Sequence, residues 1–161
     1  YKVTGVQTCA LPIYWRRGTS DQYSRWSLNG DAALTASEFL SSRQLYEEEA
    51  SRSADLNGDD RIGLPYTPGA TTINGLNLGT SPLGYAIKAA NASPQLISIQ
   101  GAPVDASFPG GGWAPISAVA TSPSSTALFW RQGSSSLYSR WSLDDKAAHT
   151  ASELQIGRAH V

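Results

Sequence analysis

The chain has one cysteine, no methionine, two histidines and three phenylalanines among its 161 residues. A single thiol forms no internal disulfide, and Cys/His zinc sites are out of reach. No apolar run approaches the roughly 20 residues of a membrane-spanning helix. Charge is sparse and nearly balanced, 12 basic against 13 acidic residues, and no basic patch points to nucleic acid. Large aliphatics are few, so five Trp and seven Tyr supply much of the bulk. Ser, Ala, Gly and Thr dominate the rest, a small, turn-rich composition of secreted style.

What is present is a duplication. The pattern Trp-Arg-x-Gly-x-Ser-x-x-Tyr-Ser-Arg-Trp-Ser-Leu occupies 15–28 and again 130–143, an offset of 115 residues. Ala-Ala-x-Thr-Ala-Ser-Glu follows at 32–38 and 147–153, so 14–38 matches 129–153 without a gap. The offset exceeds the roughly 20–50 residues of solenoid repeats. Each unit is therefore expected to be a whole small domain, carried in tandem by a longer protein.

Both ends look foreign to that pattern. Residues 3–13 resemble the translation of a common sequencing-library adapter, and 156–161 resemble the translation of its reverse complement. Residues 1–13 and 156–161 are expected to be artefacts on that basis. Cys9 and His160 fall within them, leaving His149 as the one histidine of the remainder, whose net charge moves from −1 to −3.

Residues 14–16 and 22–28 flank Gly18-Thr19-Ser20-Asp21 and read as a hairpin. Tyr23 and Arg25 share one face while Trp26 and Leu28 share the other, for which a bulge near Arg25 is expected. Asn29-Gly30, replaced by Asp144-Asp145 in the second copy, predicts a two-residue hairpin turn. From about Thr35 the pattern predicts a helix, with Ser37 as N-cap and Phe39, Leu40, Leu45 and Tyr46 as apolar positions. Ser41 or Ser42 could cap a second short turn, and Glu47-Glu48-Glu49 is expected to face solvent.

Next comes Asp55-Leu56-Asn57-Gly58-Asp59-Asp60-Arg61-Ile62-Gly63. Oxygen side chains at the first, third and fifth positions and a backbone carbonyl at the seventh are how an EF-hand-like loop surrounds calcium. Asp55, Asn57 and Asp59 supply the side chains, and Arg61 the backbone carbonyl. Asp60 stands where glycine normally permits the sharp turn, and the twelfth position is Tyr66 rather than a bidentate carboxylate. Calcium there would need water or a carboxylate from elsewhere, such as Glu48 or Glu49. The same residues also suit an Asx-rich turn whose side chains cap backbone amides without metal.

Pro65, Pro68 and Gly69 mark a boundary, beyond which strands are expected at 71–78, 85–89, 94–99, 113–120, 127–131 and 137–143. The fold class is α+β, mainly β: an antiparallel meander with one helix and an Asp-rich helix-to-strand loop. Trp113, Phe129, Trp130 and Trp141 are expected in the core, with an exposed sugar-stacking platform as the alternative.

Residues 55–63, Gly101-Ala102-Pro103-Val104, Trp113-Ala114-Pro115-Ile116, Phe129-Trp130 and Tyr138-Ser139-Arg140-Trp141, in that order, resemble the tryptophan-rich Synechocystis C-terminal domain. The resemblance covers 14–155. It divides the chain into the C-terminal part of one repeat (14–63) and the N-terminal and central part of the next (64–155). It implies a non-catalytic module of an exported bacterial protein, structural or adhesive, extracellular or at the cell surface. Its partner would be an unknown surface ligand or neighbouring repeats. A carbohydrate-binding module using exposed Trp and Tyr is the alternative function. No enzyme is expected: His149 replaces Leu34 between the copies, and no motif pairs a nucleophile with a base.

Overall fold

The computed structural model describes residues 12–156, with backbone alone at 70–72, 155 and 156. The adapter-like segments therefore lie outside the described residues apart from Pro12, Ile13 and Ile156. Two compact units divide at Gly63 and Leu64. The fold is mainly β, built from antiparallel sheets and one helix.

In the first unit, β1 (Pro12–Arg16), β2 (Tyr23–Leu28) and β3 (Leu34–Leu40) form a sheet in chain order. Gly18 turns the first hairpin at φ 55°. The second connection, 29–33, is longer than the expected two-residue turn. Asn29 Oδ1 accepts from the N–H of Asp31 at 3.0 Å and of Ala33 at 2.9 Å. Ala32, not Gly30, takes the left-handed conformation, at φ 60°. Asn29 thus acts as an Asx cap rather than as the pivot of a tight turn.

Residues 34–40 are a strand, which corrects the helix expected from Thr35. Alternation decides it: Leu40 lies opposite Tyr23 and Glu38 opposite Arg25, while Ser37 lies opposite Trp26. Strand β2 carries bulky groups on both faces, which alternation alone accommodates. The ladder is continuous through Arg25, and the register shift falls at Ser27/Leu28 instead.

The helix α1 (Ser42–Arg52) starts one residue after Ser41, which forms a capping box with Gln44. Its carboxyl end closes on Ser53 at φ 52°, whose N–H bonds the Glu49 carbonyl. Leu45 packs against Tyr23 and Leu40, with Tyr14 and Leu56 at the margin. The acidic run does not face solvent as a block. Glu49 lies on the buried stripe with Leu45, four residues earlier, and is fully buried.

In the second unit, β4 (Thr67–Ile73), β5 (Leu76–Ser81), β6 (Gly84–Ala89) and β7 (Gln95–Leu96) form one antiparallel sheet. The expected single strand at 71–78 is a hairpin, because Asn74 and Gly75 adopt φ 50° and 76°, the paired positive angles of a tight type I′ turn. A short ladder of β8 (Ser98–Ile99) and β9 (Ala102–Pro103) follows. Then β10 (Trp113–Ser122), β11 (Ser125–Gln132), β12 (Leu137–Leu143) and β13 (His149–Ile156) complete a four-stranded meander. Strand β13, beyond the last expected strand, pairs with β12 as β3 pairs with β2. The core gathers Leu76, Ile87, Ile97 and Val104 against Leu128, Trp130, Trp141 and Leu143, with Trp113 half-buried beside them. Phe129, expected in that core, is half-buried on the opposite face of β11.

The two sequence copies adopt the same ladder. Ile13 opposite Trp26 becomes Leu128 opposite Trp141, and the register shift at Ser27/Leu28 recurs at Ser142/Leu143. Asp144 Oδ1 repeats the role of Asn29, accepting from Lys146 at 2.9 Å and Ala148 at 2.8 Å. Ala147 repeats Ala32 at φ 59°. The Arg25–Glu38 ion pair recurs as Arg140–Glu153.

Candidate functional site

Asp55, Asn57 and Asp59 lie on the 53–63 loop that follows α1. Each is bound to loop backbone. Asp55 accepts from the N–H of Gly58 (Oδ1, 2.7 Å) and of Asp60 (Oδ2, 2.9 Å). Asn57 Oδ1 accepts from Asp59 at 2.8 Å, and Asp59 Oδ1 from Arg61 at 3.0 Å. The amide bond from Gly58, then the one from Asp60, holds the Asp55 carboxyl below the usual carboxylate range. Asp60 adopts φ 63°, so the sharp turn usually given to glycine is made here by an aspartate.

The residue that sequence reasoning assigned to solvent organises this loop from beneath. Glu49 Oε1 accepts from the N–H of Leu56 at 3.2 Å and of Asn57 at 3.1 Å, and Oε2 from Gly63 at 3.1 Å. Burial raises its pKa, opposed by those three backbone bonds. The signal was available: helical spacing places a residue four beyond Leu45 on the same face.

Glu48 is also committed. It accepts from the Tyr14 hydroxyl at 2.5 Å and from Arg52 Nε at 2.8 Å, and it pairs with Arg25, which in turn reaches Glu38. The Tyr14 bond, then those from the two arginines, lowers its pKa against the opposing effect of burial.

Asp55, Asn57, Asp59 and the Arg61 carbonyl are the groups that would hold a calcium ion at this loop. Lone pairs remain on these oxygens, since a carboxylate offers about four acceptor sites. Calcium takes about 6–8 oxygens, so water would complete the shell. Tyr66 belongs to the second unit, where its hydroxyl bonds the Asn77 carbonyl at 2.9 Å. Among the described residues, no three His, Cys, Asp or Glu side chains converge as a metal site by themselves. The residues present fit a hydrated calcium site, and they also complete a turn without one.

The aromatic positions divide between the units. Trp130 and Trp141 are 1% and 6% exposed, with ring centroids 4.7 Å apart at 47°. Their counterparts Trp15 and Trp26 hold nearly the same geometry, 5.2 Å and 48°, yet are 50% and 36% exposed. His149 stands edge-on to Trp141 at 4.7 Å, opposite Leu143 in the ladder, as an aromatic packing partner. No helix among the described residues is long and apolar enough to cross a membrane. No family model matches the chain, and comparison with curated proteins and with solved structures finds none that is similar to it.

Proposed function

We propose that this chain is a non-catalytic repeat module of an exported bacterial multidomain protein, structural or adhesive in role, with calcium as the cation its 55–63 loop would take. The observation that carries the reading is the pair of identical ladders, in which 14–38 and 129–153 keep register, turn chemistry and Trp pairing. Duplicated ladders suit a chain that extends by adding units. Support for the cation comes from the oxygen donors on one loop and from Asp60 making the turn such a loop needs.

Thermal unfolding of the full chain in excess EDTA and then in millimolar calcium tests the metal. Calcium at about 100 times its Kd would stabilise the folded form by about 2.7 kcal/mol, a rise of several degrees. A rise that is lost in Asp55→Ala with Asp59→Ala, and not reproduced by magnesium, supports the reading. An unchanged transition makes the loop an Asx turn and removes calcium from the proposal.

Carbohydrate binding is the second reading, favoured by the exposed Trp15 and Trp26 rings. Tryptophan fluorescence that shifts on glycan addition, and does not in Trp15→Ala, would support it.

A further inference from the structure

In the second unit, five positions on one face of β11–β13 are covered. Leu128, Trp130, Trp141 and Leu143 pack beneath Leu76, Ile87, Ile97 and Val104, and Ala147 is fully buried at the turn. Tyr85 meets Trp130 edge-on at 5.9 Å, and Phe108 meets Trp141 at 5.8 Å. The turn is also gripped by hydrogen bonds: Ser98 N–H to the Ala147 carbonyl at 3.2 Å, and Gln95 Nε2 to the Asp145 carbonyl at 2.8 Å.

The matching face of the first unit is open. Of the counterparts, Ile13, Trp15, Trp26 and Ala32 are exposed and Leu28 is half-buried, and Leu34 and Phe39 on the same face are exposed as well. Position 39 is informative because its counterpart Leu154 stays exposed in the covered unit as well, 65% against 82%. At the two indoles the copies differ sharply: Trp15 and Trp26 are 50% and 36% exposed against 1% and 6% for Trp130 and Trp141. Both partners of the turn contact are backbone carbonyls, so Gly30 and Ala32 offer the same acceptors that Asp145 and Ala147 do. An exposed apolar patch built on two tryptophans, whose sequence twin is buried in the other unit, marks an interaction site.

We propose that the Trp15–Trp26 face is a docking surface for a second copy of the 64–112 segment. That segment seats its Leu76, Ile87, Ile97 and Val104 side chains on the indoles and bonds Gly30 and Ala32 through Gln95 and Ser98. The partner is a β-sheet segment of the repeat itself, and the second unit displays the docked arrangement. This rests on the reading of the chain as a repeat module, and it is independent of calcium.

The test uses the chain with a second copy of residues 64–128 placed directly ahead of Tyr14, labelled with 5-fluorotryptophan. In the parent chain the Trp15 and Trp26 fluorine signals should show solvent-isotope shifts that Trp130 and Trp141 lack. In the extended chain those shifts are expected to vanish, with a several-fold fall in acrylamide quenching. Ile87→Asp in the added copy alone should restore both. Signals of Trp15 and Trp26 that stay solvent-shifted while Trp130 and Trp141 stay protected would overturn the proposal and leave the module reading standing. Loss of protection at Trp130 and Trp141 in the extended chain counts against it equally, because a face made for that segment would order it. Glycans that shield the two indoles where the added segment does not would assign the face to sugar instead.

Discussion

The buried carboxylate of Glu49 accepts a hydrogen bond from the backbone N–H of Gly63, fourteen residues further along the chain, at 3.1 Å. The other oxygen of the same group holds Leu56 and Asn57. One helical side chain thereby fixes both ends of the Asp loop.

Glu49→Ala is expected to be the most damaging single change in the first unit. It leaves three amides without their acceptor and opens a void beside Leu45, at a cost of about 3 kcal/mol or more. Glu49→Gln retains one carbonyl acceptor and should cost less. Urea unfolding monitored by tryptophan fluorescence would rank the two, and equal costs would remove the carboxylate from its organising role.

Stability against pH should have two opposed contributions. The Glu48 pKa is lowered, so its stabilising effect is full above the unfolded carboxylate value and is lost as pH falls through the folded one. The Glu49 pKa is raised, so the folded unit binds the proton first and its contribution is lost as pH rises through the folded value. Glu48→Gln should therefore flatten the acid limb of a melting series between about pH 7 and about pH 3. It should also cost about 1.5–3 kcal/mol near neutrality through its charged hydrogen bonds. A mutant that loses as much on acidification as the parent would contradict this.

The calcium melt carries its own control in Asp60. Because Asp60 holds a left-handed conformation at φ 63°, Asp60→Gly should relieve about 1 kcal/mol of backbone strain without metal. The calcium-dependent rise should survive that substitution and vanish in Asp55→Ala with Asp59→Ala. Differential scanning calorimetry separates the two effects, and a rise abolished by Asp60→Gly would place a side-chain ligand where none is expected.

Equivalent tryptophans should differ in what they contribute. Trp141→Ala removes a buried ring and should cost about 3–5 kcal/mol. Trp26→Ala, at the corresponding position on the open face, should cost about 1 kcal/mol or less in the chain as it stands. Equal losses in chemical denaturation would mean that the open face is covered in solution.

Much of the local structure is legible in residue order. Gly18 and the strands beside it announce the first hairpin, and Ser41 with Gln44 marks the helix start. Asn74-Gly75 carries a hairpin signal in the middle of the otherwise strand-like 71–78 stretch. Residues 35–40 mislead because Phe39, Leu40, Leu45 and Tyr46 imitate helical spacing across a boundary, and the strand is set by pairing with β2, which no local window contains. Glu49 was legible from its spacing to Leu45 but obscured by two neighbouring acids. The backbone-capping role of Asp55, Asn57 and Asp59 in an Asx-rich turn is legible in their spacing.

The sequence by itself determined that 14–38 and 129–153 fold alike. Their turns, alternation and cross-strand partners are local, so equal residues give equal ladders down to the positive φ of Ala32 and Ala147. Only the tertiary structure decided what each ladder faces. Trp15 and Trp130 occupy matching positions of the two copies and have the same tilted partner ring, yet one is half exposed and the other in the core. Burial requires a second layer of side chains to exclude water, and for Trp130 that layer comes from Leu76, Ile87, Ile97 and Val104, which are remote from it in the chain.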